Sequence, residues 1–410
     1  MDLLNKKTLN DVNVDNKTVI VRFDFNCPVK DNKVTSDKRI VAALPTIKYL
    51  LDHGCKIIAL SHLSRIKNLD DIKSGKKSLA PIAKRLQELL PNTKIKFEPE
   101  IDFNKIREDV KNLQKGEILV LQNTRYYDVD SQGVVVKWES KNNEELAKFW
   151  SSLADVFVND AFGTAHRAHA SNAGIAKFAH DSCVGFLVEK EIKSILKAID
   201  NPTRPYVAIL GGAKVSDKLK VITNLLNKAD KIIICGGMAY TFHKALGQDV
   251  GRSLVEDDMI ATAKNKLEKV KDKSVLTDDC VCNTKFEDTP GTVKEFNQNF
   301  DNLEGLDIGP KSINKFKNVL DSAKTVVWNG PCGVLEFKNY SNGTKQIIEK
   351  LVEITKKGAY TLIGGGDSAA AIPALGFKED QFSFVSTGGG ASLALIEGSD
   401  LVGIEPIKNK

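Results

Sequence analysis

One local pattern repeats along the whole sequence and limits the folds that the chain can adopt. Short runs rich in β-branched residues are each followed by a turn containing Gly, Asn or Asp, and then by a longer segment with helical spacing of apolar residues. Strands and helices that alternate in this way predict βα units around parallel sheets. The runs are Thr18–Phe23, Lys56–Leu60, Glu117–Leu121 and Val156–Val158 in the first half, and Tyr206–Leu210, Lys231–Cys235, Thr325–Trp328, Tyr360–Ile363 and Phe382–Val385 in the second.

The length of the chain indicates two domains. It has 410 residues, whereas single hydrophobic cores tend to stop growing at roughly 250–300 residues. Between the halves, Phe186–Ile199 has helical spacing and is followed by Pro202 and Pro205, which end a helix. We therefore predict an α/β protein with two doubly wound parallel-sheet domains, residues 1–180 and 201–396, joined by a connecting helix within 181–200 and separated by an interdomain cleft.

The charge pattern favours a small anionic ligand over a nucleic acid. The formal net charge of +6 arises from 59 basic and 53 acidic residues that are interleaved without a basic arm. The sequence shows neither a secretory signal pattern nor about 18 consecutive apolar residues, so we expect a cytoplasmic protein without a membrane contact.

The seven cysteines lie mostly in apolar stretches, which predicts reduced core residues. Cys280 and Cys282 could form half of a metal site, but no second cysteine or histidine pair follows at zinc spacing, and alternation along a strand explains them better.

Cations follow the strands of the first half. In parallel α/β sheets ligands bind beyond the carboxyl ends of the strands. Cations gathered at one such edge would repel one another unless an anion compensated them, and forked guanidinium groups suit phosphate and carboxylate. The alternative for each arginine is a solvated charge or a structural ion pair. The polar residues at these positions are Asp24, Asn26, Arg39, His62, Arg65, Arg125, His166 and Arg167.

Glycines follow the strands of the second half. Glycine allows backbone amides to approach a phosphate closely, and each of these loops leads into a helix whose first N–H groups attract anions. Tight packing explains one Gly-Gly pair, but five such loops at one edge favour a nucleotide site. The loops contain Gly211-Gly212, Gly236-Gly237, Asn329-Gly330, Gly364–Gly366 and Gly388–Gly390.

Three segments suggest other functions but do not match the motifs of those functions. Gly305–Ser312 resembles a phosphate-binding P-loop but has the wrong glycine spacing and a proline where the lysine belongs. No Gly-x-Gly-x-x-Gly follows a strand, which weakens a dinucleotide-binding fold. His166 and His169 lack the glutamate and spacing of a zinc protease helix, so we assign them to the anion site.

Read together and in order, these segments resemble the phosphoglycerate kinase family over essentially the whole chain. The matching stretches are Val21–Pro28, Arg39–Lys48, Ser61–Arg65, Asn159–Ser171, Leu210–Lys218, Val327–Pro331 and Ile363–Ser368. The resemblance implies reversible phosphoryl transfer between 1,3-bisphosphoglycerate and ADP, giving 3-phosphoglycerate and ATP in glycolysis, by a monomer that binds Mg²⁺ with the nucleotide. It also implies that residues near 397–410 fold back onto the N-terminal domain.

The resemblance assigns roles to individual residues. The first-half residues given above, from Asp24 to Arg167, would hold 3-phosphoglycerate. Arg39 and Lys214 would act on the transferring group together with main-chain groups at Gly365 and Gly388, Lys218 would meet the phosphates, Glu336 the ribose, and Asp367 the magnesium. The remaining nucleotide-binding residues would be Gly212, Ala213, Gly236, Gly237, Gly305, Leu306, Asn329, Pro331, Gly333, Val334, Gly366 and Ser368.

The chain departs from the family pattern at a few positions. Ser64 and Ile66 stand where the family usually has Gly and Pro, Gln122 where it has Glu, and Ala394 where an acidic residue is usual. Two alternatives stay open at this point. The chain could be a catalytically silent member that binds a nucleotide or a protein, or, on the α/β pattern alone, a nucleotide-dependent dehydrogenase.

Overall fold

The β-branched runs form the strands of two six-stranded parallel sheets. The computed structural model describes residues 2–269 and 272–410. The chain divides into two compact units, one made of Met1–Lys193 and Asp400–Lys410 and the other of Ser194–Ser399.

The first unit has a parallel sheet in the order β5-β6-β4-β1-β7-β8, with a two-stranded hairpin of β2 and β3. The strands are β1 (Thr18–Phe23), β2 (Val29–Lys30), β3 (Lys33–Val34), β4 (Lys56–Leu60), β5 (Ile95–Glu98), β6 (Ile118–Leu121), β7 (Val156–Asp160) and β8 (Asp181–Val184). The helices are α1 (Lys38–Asp52), α2 (Leu69–Lys73), α3 (Ala80–Leu89), α4 (Phe103–Asn112), α5 (Glu144–Ser151) and α6 (Ile175–Phe178), and α7 (Phe186–Ile199) begins in this unit and ends in the second.

Burial explains why the central strands are apolar on both faces. In β1, Val19, Ile20 and Val21 are at most 1% exposed although they point alternately to opposite faces. Helices that cover both faces of a parallel sheet remove the usual alternation of apolar and polar residues. The strand order reverses between β1 and β7, since β4, β5 and β6 lie on one side of β1, and β7 and β8 on the other. This switch point leaves a crevice at the carboxyl ends of β1 and β7.

The second unit has the strand order β11-β10-β9-β15-β16-β17, with all neighbours parallel. Counted along the chain this is the order 3-2-1-4-5-6, the doubly wound arrangement whose switch point lies between β9 and β15. The strands of this unit are β9 (Tyr206–Leu210), β10 (Lys231–Ile234), β11 (Ser274–Val275), β12 (Asp279–Asn283), β13 (Thr292–Glu295), β14 (Glu304–Ile308), β15 (Thr325–Asn329), β16 (Tyr360–Ile363) and β17 (Phe384–Val385). The helices are α8 (Leu219–Leu226), α9 (Met238–Ala245), α10 (Ile260–Lys269), α11 (Pro310–Asp321), α12 (Asn342–Lys356), α13 (Gly366–Ala374) and α14 (Gly390–Ile396).

A small antiparallel sheet in the order β13-β12-β14 is added to the second unit. Its central strand contains Cys280 and Cys282, both buried, with the intervening Val281 less so. Their thiols lie on one face, 3.2 Å apart, which confirms alternation along a strand. All seven cysteines are free and buried, as predicted. The P-loop-like segment Gly305–Ser312 is the strand β14 followed by the start of α11, not a phosphate loop.

The C-terminal residues pack on the first unit. The Lys7 amide donates to Lys408 O at 2.8 Å, and the Asn159 side chain donates to Gly403 O at 3.0 Å. The helical run predicted at Phe186–Ile199 is α7, and the predicted fold class of two doubly wound parallel sheets is confirmed. The domain boundaries inferred from the sequence stay predictions. Within residues 2–269 and 272–410, no helix combines the length and apolarity needed to span a bilayer.

Candidate active site

The crevice of the first unit brings Asp24, Arg39 and Gly163 together. Asp24 follows β1 and accepts a hydrogen bond from the Arg39 guanidinium, which lies in the first turn of α1. Gly163 follows β7, and a Cβ added there would lie 2.4 Å from Asp24 Oδ2. Only glycine therefore lets the two loops approach closely enough to hold this ion pair.

Ser64 joins two of the predicted site residues. Its amide donates to Asn26 Oδ1 at 2.9 Å, and its carbonyl accepts from Arg125 at 2.7 Å. The backbone of Ser64 has a φ of 56°, in the left-handed region that glycine adopts without strain. The departure from the family pattern at Ser64 therefore leaves the loop conformation intact but adds strain to it.

Arg22, a residue of β1, orients the side chain of His62 through a hydrogen bond. This arginine is fully buried, and it donates to Ser171 Oγ at 2.8 Å and to the Phe23 carbonyl. Its third contact is with His62 Nδ1 at 3.0 Å. Because a guanidinium only donates, Nδ1 is the acceptor and Nε2 carries the His62 proton.

Burial and neighbouring cations keep the histidines of this unit neutral. Burial, assisted by Arg22 and Arg125, holds the pKa of His62 well below its ordinary value. The same causes lower the pKa of His169 to about 3, and burial beside Arg167 lowers the pKa of His166. These imidazoles are hydrogen-bonding groups near neutral pH, and the arginines carry the positive charge.

A cavity of about 390 Å³ lies beside these loops. Arg65, Arg125 and Arg167 line it, and the Arg65 and Arg167 side chains are exposed to it. Arg125 Nε and His169 Nδ1 are buried atoms without a hydrogen-bond partner. The predicted residues Asp24, Asn26, Arg39, His62 and His166 lie outside this lining, although Asn26 is linked to Arg125 through Ser64.

The crevice of the second unit lies at the switch point between β9 and β15. The Gly211 amide donates to Asn329 O at 2.9 Å, and a Cβ on Gly211 would lie 2.2 Å from Pro331 O. A Cβ on Gly236 would lie 2.6 Å from Gly212 N. The loops after β9, β10 and β15 therefore touch through their main chains alone.

These glycine loops form the floor of a cavity of about 360 Å³. One wall comes from β14, since the Val334 amide donates to Leu306 O at 2.8 Å. Behind that wall, buried Asp307 accepts from the Gly343 amide at 2.7 Å, and burial raises its pKa to about 7. The predicted residues that line this cavity are Gly212, Ala213, Gly236, Gly237, Gly305, Leu306, Pro331, Gly333, Val334, Glu336 and Asp367.

The other predicted nucleotide residues lie beside this cavity. Lys218 donates to Asn329 Oδ1, and Asn329 Nδ2 donates to Gly364 O at 2.8 Å. Burial lowers the pKa of Lys218, while the nearby Asp367 carboxylate opposes that shift. Ser368 Oγ accepts from the Gly330 amide at 2.6 Å.

The remaining predicted residues are Lys214, Gly365, Gly366 and Gly388. Lys214 and Gly366 are exposed, and Gly365 precedes α13 with a φ of 92°. The Gly388 amide donates to Ser386 Oγ at 3.1 Å.

Sequence reasoning missed several residues at both sites. Arg22 stands inside an apolar run, and a charge that must be buried there was a signal for a polar network. Tyr240 lies within α9, and Leu254 and Phe286 lie in loops that follow none of the strands predicted from the sequence, so no local pattern marked them. The second-unit cavity is also lined by these three residues, Glu304 and Cys332.

The two crevices define an α/β protein whose sheet edges suit anionic ligands, one through cations and the other through glycine loops. The family profile described as phosphoglycerate kinase matches residues 9–399. The chain belongs to the phosphoglycerate kinase family, a family of phosphotransferases with a carboxyl group as acceptor. This confirms the resemblance noted in the motifs and removes the dehydrogenase alternative.

Relatives and solved structures agree with this assignment. The chain is 54% identical to phosphoglycerate kinase of Mycoplasma pneumoniae, over 98% of this chain and 99% of the relative. It is 52% identical to the enzyme of Spiroplasma citri, over 100% of both. The structure of phosphoglycerate kinase from Coxiella burnetii is similar, with a TM-score of 0.85, 36% identity and 98% of each chain covered. The crystal structure of the Pyrococcus horikoshii enzyme gives a TM-score of 0.80 at 32% identity, again over 98% of each chain.

Proposed function

We propose that this chain catalyses reversible phosphoryl transfer between 1,3-bisphosphoglycerate and ADP, giving 3-phosphoglycerate and ATP. The observation that carries the proposal is the division of chemistry between two sheet edges. Arg65, Arg125 and Arg167 line a cavity in one unit, and main-chain glycine loops floor a cavity in the other. A phosphorylated acid suits the first, and a nucleotide suits the second.

In this proposal the acceptor is held through its two charged ends. Arg65, Arg125 and Arg167 contact its phosphate. Asp24, Asn26, Arg39, His62 and His166 position the rest of the molecule, with Nε2 of His62 as a neutral donor. Forked guanidinium groups favour the geometry of phosphate, and neutral imidazoles add direction without further repulsion among the cations.

The nucleotide lies against the glycine loops, with Glu336 near the ribose and Lys214, Lys218, Asn329 and Ser368 near the phosphates. Glycines approach the adenosine and phosphates by main-chain contact, and the other residues predicted above complete the lining.

Asp367 fits a magnesium ion that arrives with the nucleotide. Its carboxylate is exposed, lines the cavity and stands in the first turn of α13. Among the described residues no three His, Cys, Asp or Glu side chains form a metal cluster. A single carboxylate beside substrate phosphates is a usual way for proteins to hold Mg²⁺. When bound, the ion would supply positive charge to the nucleotide phosphates.

The chemistry needs no general base, because the attacking carboxylate is already ionised at neutral pH. A carboxylate oxygen bonds to the γ-phosphorus as the bond to the ADP oxygen breaks, and that oxygen keeps the electron pair. Arg39 and Lys214 balance the charge on the equatorial oxygens. Gly365 adds a main-chain contact, whereas the Gly388 amide must first exchange its present partner, Ser386 Oγ.

We further propose that the enzyme acts as a cytoplasmic monomer in glycolysis, as expected of a member of this family. Light scattering on the purified protein checks the monomer.

The activity is tested with ADP, Mg²⁺ and 1,3-bisphosphoglycerate in an assay of ATP formation. Omission of ADP is the control, and ATP should appear only in the complete mixture. If 3-phosphoglycerate and ADP bind but no ATP forms, the chain is a silent member of the family and the proposal is wrong.

A further inference from the structure

The cavity of the first unit carries more positive charge than its predicted residues account for. Asp128 is its one lining carboxylate within the described residues, and the Ser140 amide and hydroxyl donate to the two Asp128 carboxylate oxygens. Six cationic side chains line the cavity: Arg65, Lys67, Arg125, Lys137, Lys141 and Arg167. Without an anion these charges repel one another in a partly desolvated space.

Lys137 and Lys141 come from the segment that follows Asp128, outside the strand-end loops that the sequence singled out. The Asp128 carbonyl accepts from the Val136 amide at 2.9 Å and from the Lys137 amide at 3.0 Å. The Lys141 amide donates to Lys137 O at 2.8 Å. Asp128 therefore fixes the wall that carries both lysines, and Lys137 holds an unusual left-handed φ of 56° within it.

Both lysines are available to a ligand. Their side chains are exposed, and within residues 2–269 and 272–410 neither has a carboxylate partner. On the same cavity, Arg125 and His169 are at most 8% exposed and each has a buried nitrogen without a partner. Unpaired cations that face one space, with only one carboxylate among the described lining residues to balance them, indicate an anion with several oxygens.

We propose that Lys137 and Lys141 are specificity-determining residues that recognise the phosphate of the acceptor, an inference that rests on the function proposed above. A phosphate carries more charge than a carboxylate and offers three oxygens. The phosphate of the acceptor therefore suits this cavity better than the crevice at Arg39. The charge of Arg39 is already balanced by Asp24, whereas the cavity has a larger excess of cations. The two lysines add long-range attraction to the directed contacts of the arginines.

The test is the double variant Lys137→Met/Lys141→Met, titrated with 3-phosphoglycerate by calorimetry at low and at moderate ionic strength. The variant loses two partly exposed contacts between a lysine and the phosphate of the ligand. Their loss should weaken binding by about five- to twentyfold at low ionic strength. The difference from the wild type should shrink as salt is added, because exposed charges are screened. The affinity for ADP should not change.

Lys115→Met is the matched control. Lys115 is exposed and precedes β6, at the amino end of the strands and thus at the opposite edge of the same sheet. It removes one positive charge from the same unit, half of what the double variant removes, so unchanged affinity there shows that a lowered net charge alone does not weaken binding. Lys137→Arg/Lys141→Arg should keep most of the affinity. In the assay of ATP consumption, the double Met variant should raise KM for 3-phosphoglycerate and leave kcat within about twofold of the wild type.

Wild-type affinity in the double Met variant, or an equal loss in the Lys115 variant, would overturn the inference. Either result would leave the proposed function standing if the wild type forms ATP. A wild type that binds 3-phosphoglycerate through these lysines but forms no ATP would instead refute the proposed reaction and keep the recognition role.

Discussion

Replacing Gly163 by alanine perturbs the proposed acceptor site with one methyl group. The backbone there lies outside the left-handed region, so alanine can adopt it. The added Cβ would lie 2.4 Å from Asp24 Oδ2, whereas ordinary contact begins at 3.4 Å, so the carboxylate must move by about 1 Å. A misplacement of about 1 Å at a reacting site can cost roughly a hundredfold in rate, or about 2.7 kcal/mol.

We expect kcat/KM for 3-phosphoglycerate to fall by about this factor in steady-state assays, with ADP affinity unchanged, because the proposed nucleotide residues belong to the other unit. The control is a double-mutant cycle with Asp24→Ala. In that background no carboxylate remains to be displaced, so Gly163→Ala should add little further loss. Additive losses, or an unchanged kcat/KM in Gly163→Ala alone, would refute the argument from close approach.

Three further outcomes follow from individual residues. Asp367→Asn should weaken ADP binding chiefly when Mg²⁺ is present, which calorimetry with and without the ion measures; equal losses in both titrations would remove Asp367 from the metal site. Ser64→Gly should raise the free energy of unfolding by up to about 1 kcal/mol with activity retained, because a left-handed serine is strained; urea titration checks this, and a loss of stability would contradict it. Burial lowers the pKa of His243 to about 4 from an ordinary value of about 6.5, so its contribution to stability is complete above pH 6.5 and falls by about 3 kcal/mol as the pH drops through 4. His243→Gln should flatten the acid loss seen in urea titrations across that range, and an unchanged slope would assign the loss to other groups.

The central strands were predictable because burial on both faces makes them uniformly apolar. The runs at Thr18–Phe23, Lys56–Leu60 and Tyr206–Leu210 have the bounds of β1, β4 and β9. The edge strand β5 was missed, since Lys96 and Glu98 interrupt its apolar residues where only one neighbour packs against it. The antiparallel strands β13 and β14 were missed for a related reason, as β13 is largely exposed and β14 contains Glu, Gly and Asp.

At the candidate sites, the sequence predicted residues that follow strand ends and missed those that reach the site from elsewhere. Parallel topology alone places Asp24 after β1 and Gly212 after β9 at binding edges. It does not place Phe286, which lies in a loop between two antiparallel strands, or Lys141, which depends on how Asp128 holds its segment. Such residues are located only by long-range packing, which no local pattern encodes.

The main-chain contacts beneath the proposed nucleotide cavity limit which substitutions could make this protein resistant to an inhibitor. A Cβ on Gly211 would meet Pro331 O at 2.2 Å, and one on Gly330 would meet Gly211 O at 2.3 Å. Any substitution at these positions separates the loops on which the site itself depends. Resistance to a compound that contacts only these main-chain groups therefore cannot arise by substitution of the two glycines without damage to the site. A compound that packs on the exposed ring of Phe286 at the rim loses that contact when the side chain changes.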